Sequence, residues 1–351
     1  MANQKRRNSL EYIAEKCGIS KMSVSRALRN DEGVSEATRE LVFRVAQEVN
    51  YFPTHSRKVP DKPTRKRYYI LFQPYYMGQG TFFNELLLSI QMELFAKGDE
   101  CSLGTIERDY TEFLRLYKMI DQEDVGGLFI VGDAPIEYLN ALLNGFERVV
   151  FVDYPGDLRL VKSCNSVYVD HVEGCYKAVE HLLNLGRRRI LLIYGDDEHY
   201  FTHDMLVGYK TALAHHHIDC VEELLVHGDY TVHGGQQAIT TALNNGVQFD
   251  AVFSTDIIAS GAMNALTSQG ITIPRDVSVV GFDGLPLGLA TTPPLTTVFA
   301  DRNRLGRLAV KRMRELDEEK GSESKCVKMS LSPELVIRKS CGANDNTLTP
   351  A

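Results

Sequence analysis

Apolar positions near the start of the chain recur at three- and four-residue steps. Leu10, Ile13, Ala14 and Cys17 share one face of a helix that Gly18 breaks; Ile19 plugs the gap, and Ser20 is placed to cap a second helix. In that second helix Val24, Ala27 and Leu28 face inward, leaving Lys21, Met22, Ser23 and Arg26 outside. A third helix follows. Ser35 caps it, Leu41, Val42, Val45, Ala46 and Val49 form its apolar face, and the run Asn50–Pro53 ends it. Two short helices joined by a tight glycine-containing turn, closed by a third helix, predict a helix-turn-helix head.

From Arg67 onward the period changes. Strand-like runs "RYYILFQP", "CSLGTI", "GGLFIVG" and "RVVFVD" alternate with helical spacing over Thr81–Lys97, Tyr110–Asp121 and Ile136–Leu143. A second series places helices over His171–Leu185, Thr202–His216, His233–Asn244 and Ile257–Ser268. Between them lie the strands "RRILLIYG", "ELLVHG", "DAVFST" and "VSVVGFD". Repeated alternation with Val/Ile/Leu-rich strands predicts parallel sheets covered on both faces. The fold class is therefore α/β: a three-helix head followed by two similar lobes with a cleft between them. The expected organisation is a head over 1–53, a basic linker over 54–67, a two-lobed body over 68–340 and a tail over 341–351.

Charge sharpens this picture. The formal net charge is −7, yet residues 1–67 hold fifteen Lys/Arg against eight Asp/Glu, and the rest of the chain carries 24 basic and 38 acidic residues. A basic head on an acidic body suits a nucleic-acid contact joined to something else. The seven cysteines, Cys17, Cys101, Cys164, Cys175, Cys220, Cys326 and Cys341, form no C-x-x-C pair and are odd in number, which fits free thiols in a reducing cytosol. No run approaches about eighteen apolar residues, so no membrane span is expected, and the N-terminus shows no export signal. The phosphate-loop, zinc-protease and nucleophile-elbow motifs are absent, so neither catalysis nor a cofactor is expected. "HHH" at 215–217 ends a helix, where neighbouring side chains point about 100° apart and cannot share a metal.

The head's runs "IAEKCGISKMSVSRALRN", "VSEATRELV" and "VNYFP" resemble the N-terminus of the lactose-repressor (LacI/GalR) family of bacterial transcription regulators. The resemblance continues through "VYVDHVEGCYKAVEHLLNLGRRRILLI" and "IPRDVSVVGFDGLPLGLATTPPLTTV", to about Arg338. It implies a cytoplasmic repressor that binds a double-stranded DNA operator as a homodimer. A small effector, carbohydrate-related, would sit in a cleft like that of periplasmic sugar-binding proteins. The second helix would enter the major groove, with Lys21 and Met22 choosing the operator and Arg26 as the shared arginine. Lysine or arginine can pair with guanine, whereas methionine touches only apolar edges such as a thymine methyl. Ser20, Ser23, Ser25 and Arg29 suit phosphates. The linker departs from the family pattern, with Pro60 where a wedge leucine is usual. Either Val59 substitutes one position early, or the segment is a basic tether reaching phosphates through Arg57, Lys58, Arg65, Lys66 and Arg67.

For the effector, the resemblance points to Phe82, Phe83, Asp153, Tyr230, Asp256 and Asp283, with lobe crossings near Cys164–Ser166, Pro294–Thr297 and Gly321–Lys325. In "HDMLVGYKTAL" Met205 stands where the family carries an arginine that grips the effector. Either His203 or His199 takes over, or the ligand is more apolar or binds differently, or no small effector is used. On the helix beginning near Phe83, Leu86, Leu87, Ile90 and Leu94 form a core stripe. Leu88, Met92 and Phe95 fall on the opposite side and predict the dimer interface.

Overall fold

The computed structural model describes residues 9–29, 33–49, 51, 66–74, 81–157, 159–160, 163–195, 199–318 and 326–343. Arg57, Lys58, Val59, Pro60 and Arg65 fall outside these residues, so the two linker alternatives do too.

The head is built as its pattern requires. Helix α1 (Leu10–Cys17) starts where the Ser9 hydroxyl accepts from the Tyr12 amide, and it stops at Gly18, whose φ of 66° suits glycine. Ser20 accepts from the Ser23 amide at 3.1 Å and starts α2 (Lys21–Arg29). Ser35 starts α3 (Glu36–Glu48) in the same way. Ile13, Val24, Ala27, Leu28, Val42, Val45 and Ala46 close the small core. Leu41 departs from expectation and lies at the surface. The carbonyl of Tyr51, just past α3, accepts a hydrogen bond from the Tyr110 hydroxyl of the body at 2.7 Å.

In the body, β1 (Arg67–Phe72), α4 (Thr81–Ala96), β2 (Glu100–Thr105), α5 (Tyr110–Asp121), β3 (Val125–Val131), α6 (Ile136–Gly145) and β4 (Val149–Val152) follow the expected order. β5 (Asn165–Val169) comes next and was not anticipated. The second series is α7 (His171–Asn184), β6 (Ile190–Tyr194), α8 (Tyr200–His215), β7 (Leu225–His227), α9 (Val232–Asn244), β8 (Ala251–Phe253), α10 (Asp256–Ser268) and β9 (Ser278–Asp283). It ends with a short α11 (Leu287–Ala290), β10 (Thr296–Phe299), the unanticipated α12 (Arg302–Glu318), β11 (Lys328–Leu331) and β12 (Glu334–Val336). The described strands form two six-stranded sheets, ordered β11-β5-β4-β3-β1-β2 and β12-β10-β9-β8-β6-β7. All described pairings are parallel except β10 with β12. Strands β3 and β4 are buried throughout, as helices on both faces demand.

The crossings between lobes correct the expected ones. β5 still pairs with β4 in the first sheet, so the first crossing falls at Asp170. β10 belongs to the second sheet while α12 packs on α4 and the first sheet, so the next falls at Ala300–Asp301. β11 and β12 lie in different sheets, which puts the third at Ser332–Pro333. The stretch Gly321–Lys325 lies outside the described residues. Each crossing needs only about two residues of extended chain, too few to interrupt an apolar pattern.

Close helix packing in the second lobe depends on glycine. A Cβ at Gly235 would lie 2.1 Å from the Ile258 carbonyl oxygen, and one at Gly261 would lie 1.9 Å from that of Val232. α9 and α10 therefore meet backbone to backbone, and Gly261→Ala must drive them apart. The expected result is a loss of roughly 1–3 kcal/mol, read as an earlier midpoint in urea or thermal melts. A variant that melts with the parent protein would refute this packing.

Candidate functional site

The candidate DNA-reading face lies on α2. Burying Val24, Ala27 and Leu28 turns Lys21, Met22 and Arg26 outward. Met22, a large apolar side chain, stands 65% exposed at the start of the helix, where nothing in the head covers it. Lys21 pairs with Glu11 of α1 across open solvent. Such a pair is screened and is readily exchanged for another anion. Ser20 and Ser23 hold each other at 2.9 Å, and Ser25 is half-buried. Arg29 ends the helix, and its side chain lies outside the described residues. Lys66 and Arg67, expected to reach phosphates, are committed instead to the body. Lys66 pairs with Asp317 at 2.8 Å, and Arg67 with Glu100 and Glu123.

The second candidate is a pocket of about 60 Å³ between the lobes. Its wall residues come from segments that follow parallel strands, where open α/β sheets bind ligands. Phe82 and Phe83 come from the first turn of α4, edge to face with ring centres 5.1 Å apart. Opposite them stand Tyr200, Phe201 and Tyr230 of the second lobe. His199, Thr255 and Ile257 complete the rim. The polar floor is Asp153, His171 and Asp283.

Asp153 follows β4 with φ 56°, a left-handed turn that aims its carboxylate inward. The Tyr200 hydroxyl donates to its backbone oxygen and, at 3.2 Å, to Oδ2. His171 opens α7 almost wholly buried. Its Nε2 lies 3.5 Å from Asp153 Oδ1 and its Nδ1 3.5 Å from Asp204 Oδ2. Burial alone would pull the imidazole down, but Asp153 and Asp204 outweigh it and raise the pKa to about 9. These contacts are ion pairs rather than hydrogen bonds: Asp153 Oδ1 and His171 Nδ1 have no hydrogen-bond partner, and neither does Thr255 Oγ1. Asp283, at the end of β9 with φ 111°, is pushed well up by burial and by Asp256, against the pull of Arg302 and His171.

Three expected effector residues sit elsewhere. Asp256 is fully buried behind the floor, accepting from Thr297 Oγ1 and the Leu285 amide at 2.6 Å each. Its neighbours Thr255 and Ile257 line the pocket in its place, because the first turn of α10 points residue 256 at β9 and β10. Met205 has no exposed surface and packs in the second lobe's core with Phe201, Tyr209 and Phe282. That position on α8 faces inward, so the apolar residue serves the core. His203 projects into solvent beside Asp204. His199, the other alternative, does line the pocket. His171 was missed: it follows β5, the strand hidden at a crossing, and only recognising "NSVYV" as a strand would have put the next residue at a strand end.

Both buried groups predict a pH dependence. His171 is held above its ordinary value, so its stabilising contribution is complete below about pH 6.5 and is lost as pH rises through about 9. Burial raises Asp256 to about 7, so its contribution is complete below about pH 4 and is lost as pH rises through about 7. Asp204→Asn should weaken the alkaline limb by about 1–2 kcal/mol, measured by urea unfolding across pH. An unchanged limb would remove His171 as its source.

The chain matches two family descriptions. Residues 9–54 match bacterial regulatory proteins, lacI family, and residues 179–341 match a periplasmic binding protein-like domain. It is 29% identical over 342 residues to the HTH-type transcriptional repressor CytR of Escherichia coli (strain K12), covering 95% of this chain and 96% of that one. It is 27% identical over 349 residues to the HTH-type transcriptional regulator CelR of Thermobifida fusca, covering 96% and 99%. Among solved structures, a transcriptional regulator CelR–cellobiose complex superposes with TM-score 0.72 at 26% identity, covering 95% and 99%. The lac repressor dimer bound to operator and the anti-inducer ONPF gives 0.68 at 26%, with the same coverage. The chain thus joins a lacI-family N-terminal domain over residues 9–54 to a periplasmic binding protein-like domain over residues 179–341, an arrangement similar along nearly its whole length to lacI-family transcriptional regulators.

Proposed function

We propose that the chain is a cytoplasmic repressor that binds an operator as a homodimer and releases or grips it as a small ligand closes the cleft. The observation that carries this reading is the coexistence, in one chain, of an outward-facing α2 and a pocket whose walls come from both lobes. A ligand that prefers one lobe angle shifts the population of lobe arrangements. Domain limits of 1–53, 54–67, 68–340 and 341–351 go with this reading. The matched relatives are transcriptional regulators, and among the described residues no helix is long and apolar enough to cross a membrane. The CelR–cellobiose complex supports a small, sugar-sized ligand for the cleft, and the lac repressor complex supports DNA binding by a dimer.

The dimer face we assign is on α4. Leu86, Leu87, Ile90 and Leu94 are buried, whereas Leu88, Met92 and Phe95 are 53%, 61% and 54% exposed. A helix packed on one sheet has no need of a second apolar stripe, and a two-fold mate would cover it.

Two predictions follow the roles. Lys21→Ala should change which operators are preferred, costing about 1–3 kcal/mol at one base position, whereas Ser25→Ala should weaken all sequences alike. Gel shifts with an operator library measure both, and a uniform loss with Lys21→Ala would misplace the recognition helix. Leu88→Asp combined with Met92→Asp should give a folded monomer with far weaker operator binding. Sedimentation of that variant as a dimer would exclude the face.

A further inference from the structure

The pocket's chemistry is lopsided. Among the described residues, the lining side chains include no lysine, arginine, asparagine or glutamine. What they offer is acceptors and aromatic faces. Asp153 is 2% exposed, and its Oδ1 has no hydrogen-bond partner. Thr255, 6% exposed, holds a second buried oxygen without one. Asp283 lines the same floor, and burial, reinforced by Asp256, holds its carboxyl well above the usual carboxylate range.

The nearby cations among the described residues are already engaged. His171 sits between Asp153 and Asp204. Arg302, which abuts Phe82, donates to Glu85 Oε2 at 2.6 Å, to the Asp283 carbonyl at 2.5 Å and to the Ala300 carbonyl at 3.1 Å. One imidazolium therefore answers two carboxylates, Asp153 on the floor and Asp204 just behind it, while burial holds Asp283 toward its neutral form. A phosphate, sulfate or carboxylate on a ligand would meet repulsion and find no free charged donor among the described residues. A neutral polyol would satisfy the orphan acceptors but leave the excess negative charge in place. A protonated nitrogen supplies donors only, and it is attracted to carboxylates and ring faces alike.

We propose that the cleft ligand carries an ammonium group, seated between Asp153 and Asp283 and enclosed by the rings of Phe82, Phe83, Tyr200 and Tyr230. The Asp153 Oδ1 and Thr255 Oγ1 atoms accept from the ammonium or from a hydroxyl beside it. This rests on the reading of the cleft as the effector site and adds the ligand's charge. An amino sugar or another small amine-bearing ring has the required chemistry.

The test uses three probes that share a ring and differ in charge: glucosamine, glucose and glucuronate. Binding of each to the full chain is followed by thermal shift at millimolar concentration. Glucosamine should stabilise the protein most and bind about tenfold tighter than glucose, with no shift from glucuronate. Asp153→Asn and, separately, Thr255→Val should each remove the advantage of the amine while the variants still bind operator, which shows they fold. Equal or greater stabilisation by glucose or glucuronate that is lost in both variants would overturn the ammonium while leaving the cleft as the site. Stabilisation by glucosamine that neither variant alters would overturn the proposal and the cleft reading together. No shift from glucosamine would overturn the proposal.

Discussion

Arg302 sits where the chain passes from one lobe to the other, and its guanidinium holds that passage together. Its Nε reaches Glu85 on α4 of the first lobe, while its other nitrogens reach the carbonyls of Ala300 and Asp283 on the second. Its plane rests near the rings of Phe82 and Phe299, each about 5.6 Å from its centre. A buried guanidinium is tolerated only when its donors are met, so these partners fix one another. Asp283 is held at a φ of 111°, a strained backbone that the surrounding bonds must sustain. Phe82 is likewise held at the pocket wall. The geometry of the pocket thus depends on a guanidinium that bonds to both lobes, and a change in lobe angle must rearrange those bonds.

The same region explains why the pocket floor is acidic and yet folds. Asp256, Asp283 and Asp153 would repel one another if all were ionised and dry. The structure separates them by environment. Asp256 is satisfied by Thr297 and the Leu285 amide, and burial raises its pKa to about 7, so that at pH 7 it is about half protonated. Asp283 is driven the same way. Asp153 has His171 beside it. Only a mixture of protonation states lets so many carboxyl groups share one junction. The glycine contacts of α9 and α10 keep the second lobe compact beneath this junction, so strain at the floor is not absorbed by loose helices.

The helix-strand alternation was legible because each element is long enough to show its period. α5 spans the expected Tyr110–Asp121, and most other boundaries lie within a few residues. The crossings were not legible. β5, β11 and β12 are three to five residues long, and Ser332–Pro333 alone separates two strands of different sheets. No periodicity fits in so little chain. The outward side of α2 followed from helical spacing, as did the exposed stripe Leu88, Met92 and Phe95. In the pocket, sequence gave strand ends but not directions. Asp256 and Thr255 are neighbours, and only the first turn of α10 decides which one sees the cavity. Met205 stood out as a missing cation, but its burial shows a position turned to the core. His171 drew no notice because its partners, Asp153 and Asp204, are distant in sequence and meet it only through the fold.

The charge asymmetry gains a structural meaning at the start of the body. Lys66 pairs with Asp317, which Arg148 also approaches at 3.3 Å, and Arg67 is shared between Glu100 and Glu123. The basic run that precedes β1 is therefore neutralised as soon as it enters the first sheet. What remains positive lies before it, in the head and in residues 54–65. The body after residue 67 carries fourteen more acidic than basic residues and would be repelled by a phosphate backbone. A field of this shape orients the chain before any base is touched: the head is drawn toward DNA and the body is pushed away. Screening confines the effect to about one Debye length, roughly 8 Å at physiological salt, so the field guides the approach and carries no choice of sequence.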